Sequence, residues 1–163
     1  VNGWIVNASP RILLGKVKRL ELLRSLTSSI LIPHSVSLEI LAGPEDDPAK
    51  QWLQTEGRSA CIVPDAPPLP EILAWDLGSG ETSVISMSLA KERMVCVLDD
   101  LAARNCAKVF AIPVLGTLGI LLKAKSSGLI SALRPEIDNL VASGSMLSDK
   151  IIVEALHLAN EST

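Results

Sequence analysis

Short, nearly continuous apolar runs alternate along the chain with longer stretches in which apolar residues recur at helical spacing. The runs cover residues 4–6, 30–32, 60–63, 94–98 and 112–115. They are apolar on both faces, as strands are when helices cover a parallel sheet on both sides. Pro33 and Pro64 stop the second and third runs. In the first gap, Leu13, Leu14, Val17, Leu20 and Leu23 mark a helix, with Ser9 as its N-cap and Pro10 at its first position. Further helices are expected over residues 35–42, 48–55, 81–93, 101–109, 118–125, 135–142 and 148–160, and Gly43-Pro44 closes the first of these. The proline-rich stretch 66–70 is a loop. Strand-helix alternation with right-handed crossovers predicts an α/β fold: a three-layer α/β/α sandwich around a mostly parallel five-stranded sheet. No repeat or long linker divides the 163 residues, so one domain over 1–163 is expected.

Composition narrows the function. With 48% hydrophobic residues, the chain is no disordered tail. Fifteen basic residues against 18 acidic ones leave a net charge of −3, which excludes a basic protein that coats nucleic acid. Three tryptophans, one phenylalanine and no tyrosine argue against a row of rings stacking on bases. The longest apolar stretch, residues 110–122, contains Pro113 and is shorter than the roughly 20 residues a membrane helix needs. No basic leader precedes an apolar run at the start, so no signal peptide is expected. Cys61, Cys96 and Cys106 are odd in number and match no zinc or disulfide spacing. They are read as buried thiols of a cytoplasmic protein.

In an open parallel sheet, ligands bind beyond the carboxyl ends of the strands. Asn7 ends the first strand there, and Asp99 and Asp100 end the fourth. Glu39 lies on the helix after the second strand, and Glu81 opens a helix after Gly78-Ser79-Gly80. These are hard oxygen donors from distant parts of the chain, a set suited to Mg²⁺ or Mn²⁺. Taken singly, Glu81 also suits a helix dipole and Glu39 a solvated helix face. Adjacent carboxylates at Asp99 and Asp100 repel each other unless something positive stands by. Gly78-Ser79-Gly80 lacks the spacing and the Lys-Ser/Thr of a phosphate loop. His34 and His157 have no partner at a ligand or triad spacing, and no serine sits in a nucleophile elbow.

Several spaced motifs agree in order with a known family. They are Gly80-Glu81 with Ala90; Asp99-Asp100, Ala103-Arg104 and Ala107; and Gly116-Thr117-Leu118-Gly119 with Lys123, Ala124, Lys125, Gly128 and Ile130. The first half adds Val6-Asn7 and Ile32-Pro33 with Val36, Glu39 and Ile40. Over residues 4–158 the chain resembles the PIN-domain superfamily, and within it a VapC-like ribonuclease branch. The resemblance implies a cluster of acids that holds Mg²⁺ or Mn²⁺. Glu39 matches the second acid, Glu81 the third and Asp100 the fourth, with Asp99 beside it. Asn7 stands where the first acid usually is; its amide oxygen can ligate a metal but brings no charge.

The resemblance thus implies a metal-dependent ribonuclease acting on single-stranded RNA, as the toxin of a toxin–antitoxin pair. Glu39, Glu81, Asp99 and Asp100 would be catalytic. Glu39, Glu81, Asp100 and Asn7 would hold the metal. Arg104, Lys123 and Lys125 would guide the RNA backbone, and Thr117 would cap its helix. The alternative is a PIN-fold RNA- or protein-binding regulatory module with little or no catalysis, for which Asn7 speaks. An unrelated phospho-acceptor receiver would need a lone aspartate ending its third strand, where Asp65 sits awkwardly before the proline-rich loop. Apolar residues in 13–23 and 66–73 lead to the expectation of a homodimer, and of an antitoxin peptide lying in a groove.

Overall fold

The computed structural model describes residues 3–56 and 61–162. Five parallel strands form one sheet: β1 (Gly3–Val6), β2 (Ser29–Pro33), β3 (Ile62–Val63), β4 (Val95–Val97) and β5 (Val114–Leu115). Their order is β3-β2-β1-β4-β5. Trp4 pairs with Ile30 on one side and Val95 on the other. The chain therefore builds outward from β1 to β3 and then returns to lay β4 against β1. That reversal opens a crevice at the carboxyl ends of β1 and β4. All strand pairs are parallel, and helices flank the sheet, as the apolar runs predict. Ala60, the first residue of the third run, lies outside the described residues.

The first helical stretch is two helices. α1 spans Ala8–Lys16 and α2 spans Glu21–Leu26. Lys18, at φ +59°, turns the chain between them. Gly15 lies so close to the next crossing segment that a Cβ would stand 3.2 Å from the Ala49 amide nitrogen. Leucines on both sides of the turn face one core: Leu14, Leu22 and Leu23 are buried. Their spacing therefore continues through a break that it does not reveal. Asn7, not Ser9, occupies the N-cap position of α1. Pro10 is tolerated at the third helical position because the first-turn amides have no intrahelical acceptor.

α3 (His34–Leu41) follows β2 without a gap, and α4 (Pro48–Thr55) is capped by Asp47, which accepts from Ala49 N at 2.8 Å and Lys50 N at 3.2 Å. The proline-rich loop ends in the short α5 (Pro70–Leu73). α6 (Ser79–Ala90) lies against β1, β2 and β4, and α7 (Leu101–Val109) against β5. α8 (Thr117–Ser126) rests on α1 and α2. α9 (Arg134–Ala142) and α10 (Asp149–Leu158) complete the chain. Among the described residues no helix is long and apolar enough to cross a membrane.

Arg11, on α1, is buried in this aliphatic core. Its three guanidinium nitrogens have no hydrogen-bond partner among the described residues, and its charge rests over the Trp52 ring at 4.3 Å. Burial pushes its pKa down to about 10. A buried cation held only by a ring contributes packing more than charge. Arg11→Met is therefore expected to unfold in urea at or above the wild-type midpoint. Arg11→Ala, which leaves a cavity beside Trp52, should lose about 2–5 kcal/mol.

Candidate active site

β1 delivers Asn7 to the crevice. The Asn7 amide continues the ladder to β4 by donating to Val97 O at 3.1 Å, so its backbone is held on the sheet. Asparagine is a strong N-cap, yet this side chain makes no cap hydrogen bond to α1. It turns sideways instead, and Nδ2 donates to Glu81 Oε1 at 3.2 Å. Asn7 is 2% exposed, and its Oδ1 has no hydrogen-bond partner among the described residues. A buried amide oxygen without a donor costs free energy unless something electropositive reaches it.

Glu39 and Glu81 arrive at the same point from two helices. Glu39 Oε1 accepts the Gly80 amide at 3.1 Å. A Cβ added at Gly80 would stand 2.5 Å from Glu39 Oε1 and 2.9 Å from Asn7 Oδ1, so both oxygens converge on the first turn of α6. Glu81, third in that helix, folds its Oε2 back over Gly78, where any side chain would collide with it. Glycine at 78 and 80 thus makes room for two carboxylates and an amide. The sequence has the helix open at Glu81 after residues 78–80; the structure places Ser79 and Gly80 inside it.

The Glu39 carboxyl is held above its ordinary pKa. Burial is the first cause and the nearby Glu81 charge the second, while the Gly80 amide works in the opposite direction. The site therefore resists its own full ionisation.

Asp99 and Asp100 are near neighbours in sequence, but their side chains part. Asp100 is the N-cap of α7 and accepts from Ala103 N at 2.9 Å. Asp99 reaches across to α8, accepting from Thr117 N at 2.8 Å and from the Thr117 hydroxyl at 2.7 Å. The positive partner that adjacent carboxylates require is thus a pair of helix N-termini. Thr117 is not itself the cap of α8; Gly116 occupies that position and Asp99 supplies the acceptor.

Arg104, one turn into α7, donates to Leu98 O at 3.4 Å and stands beside Asp99 at the crevice. Lys123 and Lys125 lie further along α8, which runs away from the carboxyl edge. Lys123 is six residues past Thr117, about 9 Å down the helix axis. It lines a cleft of about 690 Å³ with Trp4, Arg24 and Val95. Lys125 donates to Ser131 O at 2.5 Å and pairs with Glu161 at 3.6 Å.

The donors fit a hard divalent cation in kind: two carboxylates and an amide oxygen left without a partner. Among the described residues no three His, Cys, Asp or Glu side chains stand close enough to hold a metal by themselves. Asn7 Oδ1 meets Glu39 Oε1 at Gly80, and Asn7 Nδ2 donates to Glu81.

An all-parallel sheet with polar side chains gathered at its switch point defines a doubly wound α/β fold. The chain matches the family described as PIN domain over residues 3–161, and it belongs to that family. No curated protein matches it.

Sequence reasoning missed four contributors. One is the Gly80 amide at Glu39, and the other three, the hydrogen-bonded side chains of Ser35, Ser83 and Asp65, flank the site without touching it. Ser35 lies one helical turn before Glu39 and Ser83 one turn after Gly80, so helical spacing alone puts each on the face of its neighbour.

Because the folded pKa of Glu39 is raised, its contribution to stability is fully present below the unfolded carboxyl pKa and fades as pH rises through the folded value. Glu39→Gln should therefore melt above the wild type at pH 7, and the two melting curves should coincide near pH 4. A constant offset at both pH values would show that ionisation is not the cause.

Proposed function

We propose that the protein is a metal-dependent endoribonuclease of the VapC-like type that cleaves single-stranded RNA. One observation carries this reading: Asn7 Oδ1, buried and without a partner among the described residues, meets Glu39 Oε1 at Gly80 beside Glu81. Glu39, Glu81 and Asn7 would hold Mg²⁺ or Mn²⁺, with Asp99 and Asp100 on the opposite wall of the crevice. When bound, such an ion lowers the pKa of water and neutralises charge on phosphate oxygens. The chain's own residues do the rest. A carboxylate of this set not committed to the ion can accept a proton from attacking water. Arg104 can pair with the phosphodiester beside Asp99. Asn7 Nδ2 keeps Glu81 turned toward the site.

The partner readings follow from the surface. Leu38 on α3 is 54% exposed, and Leu69 and Leu73 around α5 are 47% and 55% exposed. These side chains support a second copy of the chain or an antitoxin peptide on that side, which would make the enzyme the toxin of a pair. Of the leucines in residues 13–23, Leu14, Leu22 and Leu23 are buried within the chain, while Leu13 and Leu20 are half-buried against its core.

A second reading, a PIN-fold RNA- or protein-binding regulatory module, draws on Asn7 itself. It removes one charge from the metal set, and both Asp99 and Asp100 are spent on helix N-termini.

A fluorescent single-stranded RNA incubated with Mn²⁺ distinguishes the two. Cleavage by the wild type should stop with EDTA and fall by about 100-fold or more in Glu81→Gln. Equal cleavage by Glu81→Gln would mark a contaminant, and no cleavage at all would favour the regulatory module.

In a separate titration, Asn7→Asp should bind Mn²⁺ about tenfold more tightly than the wild type. Unchanged affinity would place position 7 outside the metal set.

A further inference from the structure

Asp65 has no part in the site described above, yet hydrogen bonds tie it to α3, the helix that carries Glu39. It follows β3 at the carboxyl edge of the sheet and accepts the Ser35 amide at 3.1 Å through Oδ1. The Ser35 hydroxyl also donates to Asp65 Oδ2. Ser83, buried on α6, donates its hydroxyl to Ser35 Oγ at 3.3 Å. The chain of contacts therefore ties the loop after β3 to the start of α3, and the start of α3 to α6.

Helical geometry gives this chain a consequence. Ser35 and Glu39 are four residues apart on α3, and Gly80 and Ser83 are three apart on α6, so each pair shares one face. The two helices pack together with two polar rungs between them. One rung is Ser35 to Ser83, and the other is Glu39 to the Gly80 amide at 3.1 Å. The rungs lie about one helical pitch, 5.4 Å, apart. Sliding or rolling α3 on α6 would break both. Glu81 adjoins Gly80, so the same sliding would change the separation of the two carboxylates.

Asp65 is also a stiff post. Pro64 precedes it, and Pro67, Pro68 and Pro70 follow within five residues. Proline fixes φ and restricts the residue before it, so this loop has little freedom to follow a displaced helix. An acceptor on a mobile loop could satisfy Ser35 without fixing α3.

We propose that Asp65, Ser35 and Ser83 form a positioning strap, with Asp65 acting through Ser35 to set where the Glu39 carboxylate stands relative to Glu81. None of the three touches a substrate in this assignment. It rests on the reading of Glu39, Glu81 and Asn7 as a divalent-cation site, and it names the residues that set the spacing of that site.

The test uses the full chain and two readouts. The first is Mn²⁺ affinity, from the free-ion EPR signal. Asp65→Ala and Ser35→Ala should each bind Mn²⁺ about tenfold more weakly than the wild type. Ser35→Thr, which keeps the hydroxyl, should restore most of the loss, and Asp138→Ala, an exposed carboxylate on α9, should bind as the wild type does. The second readout is the Gly80 backbone amide resonance of the metal-free protein, which reports the hydrogen bond to Glu39. It should move in Asp65→Ala and Ser35→Ala, return in Ser35→Thr and stay in place in Asp138→Ala.

If the wild type binds Mn²⁺ and the strap variants bind it equally well, the proposal is overturned, even where their melting temperatures fall. A wild type that binds no Mn²⁺ refutes the metal reading instead. The Gly80 resonance then decides the strap alone, and an unmoved resonance in Asp65→Ala overturns it.

Discussion

β1 is hydrogen-bonded to β2 on one side and β4 on the other, and the geometry of the carboxyl edge depends on that double pairing. A strand held on both sides cannot tilt, and its last residue inherits that fixity. Asn7 still donates its backbone amide to Val97, so its side chain leaves the sheet from an anchored base. The same reversal of strand order pairs Val6 with Val97, and so sends Asp99 out next to Asn7's strand. The elements that bring Glu39 and Glu81 need not be so rigid, because they dock against this edge. α6 lies on β1, β2 and β4, and α3 is held to α6.

The electrostatics of the edge explain why it can gather so many carboxylates in a chain of net charge −3. Three of the four are matched to a backbone dipole, and Glu81 accepts from the Asn7 side chain. Asp100 faces the start of α7, Asp99 the start of α8, and Glu39 the first turn of α6. An aspartate at position 7 would add a third negative group at Gly80 and could donate nothing to Glu81. The asparagine donates through Nδ2 and leaves only a neutral oxygen facing inward. The folded chain therefore tolerates the site without a cation, at the cost of weaker attraction for one. That trade places affinity in the spacing of Glu39 and Glu81, since fewer charges remain to compensate for a misplaced one.

The amino-acid pattern reveals the sheet because parallel strands buried on both faces have no polar side to show. It overstates their length: the run 112–115 yields the two-residue β5, since apolar residues flanking a strand pack into the core whether or not they pair. It cannot show the turn at Lys18, because α1 and α2 point their leucines at one core. The acids at 39, 81, 99 and 100 are visible as residues that end strands or open helices. What each one does is not visible, because that depends on which helix N-terminus lies opposite. Asp99 is the clearest instance: its partner, Thr117, is 18 residues away on another element. Lys123 and Lys125 mislead for a simpler reason. Proximity in sequence to Gly116-Thr117 suggests proximity to the site, but α8 carries them away from the edge where it begins.

That last displacement bears on how a polyanion could approach. Of the three cations named from the sequence, Arg104 alone stands at the carboxyl edge. Glu161 holds Lys125, and Lys123 faces a cleft among residues that begin β1 and β4. A phosphodiester entering the crevice meets Glu39, Glu81, Asp99 and Asp100 with Arg104 as the cation beside them. Unscreened like charges repel at this range, and the partly buried oxygens are screened less than surface ones. Helix N-termini already engaged by Asp99 and Asp100 have little left to offer a phosphate. The edge thus has Arg104 as its one cation among those three, and it presents an oxygen without a partner among the described residues where a metal ion would add charge. Recognition and chemistry would depend on the same ion, so the strap that spaces its carboxylates would govern both.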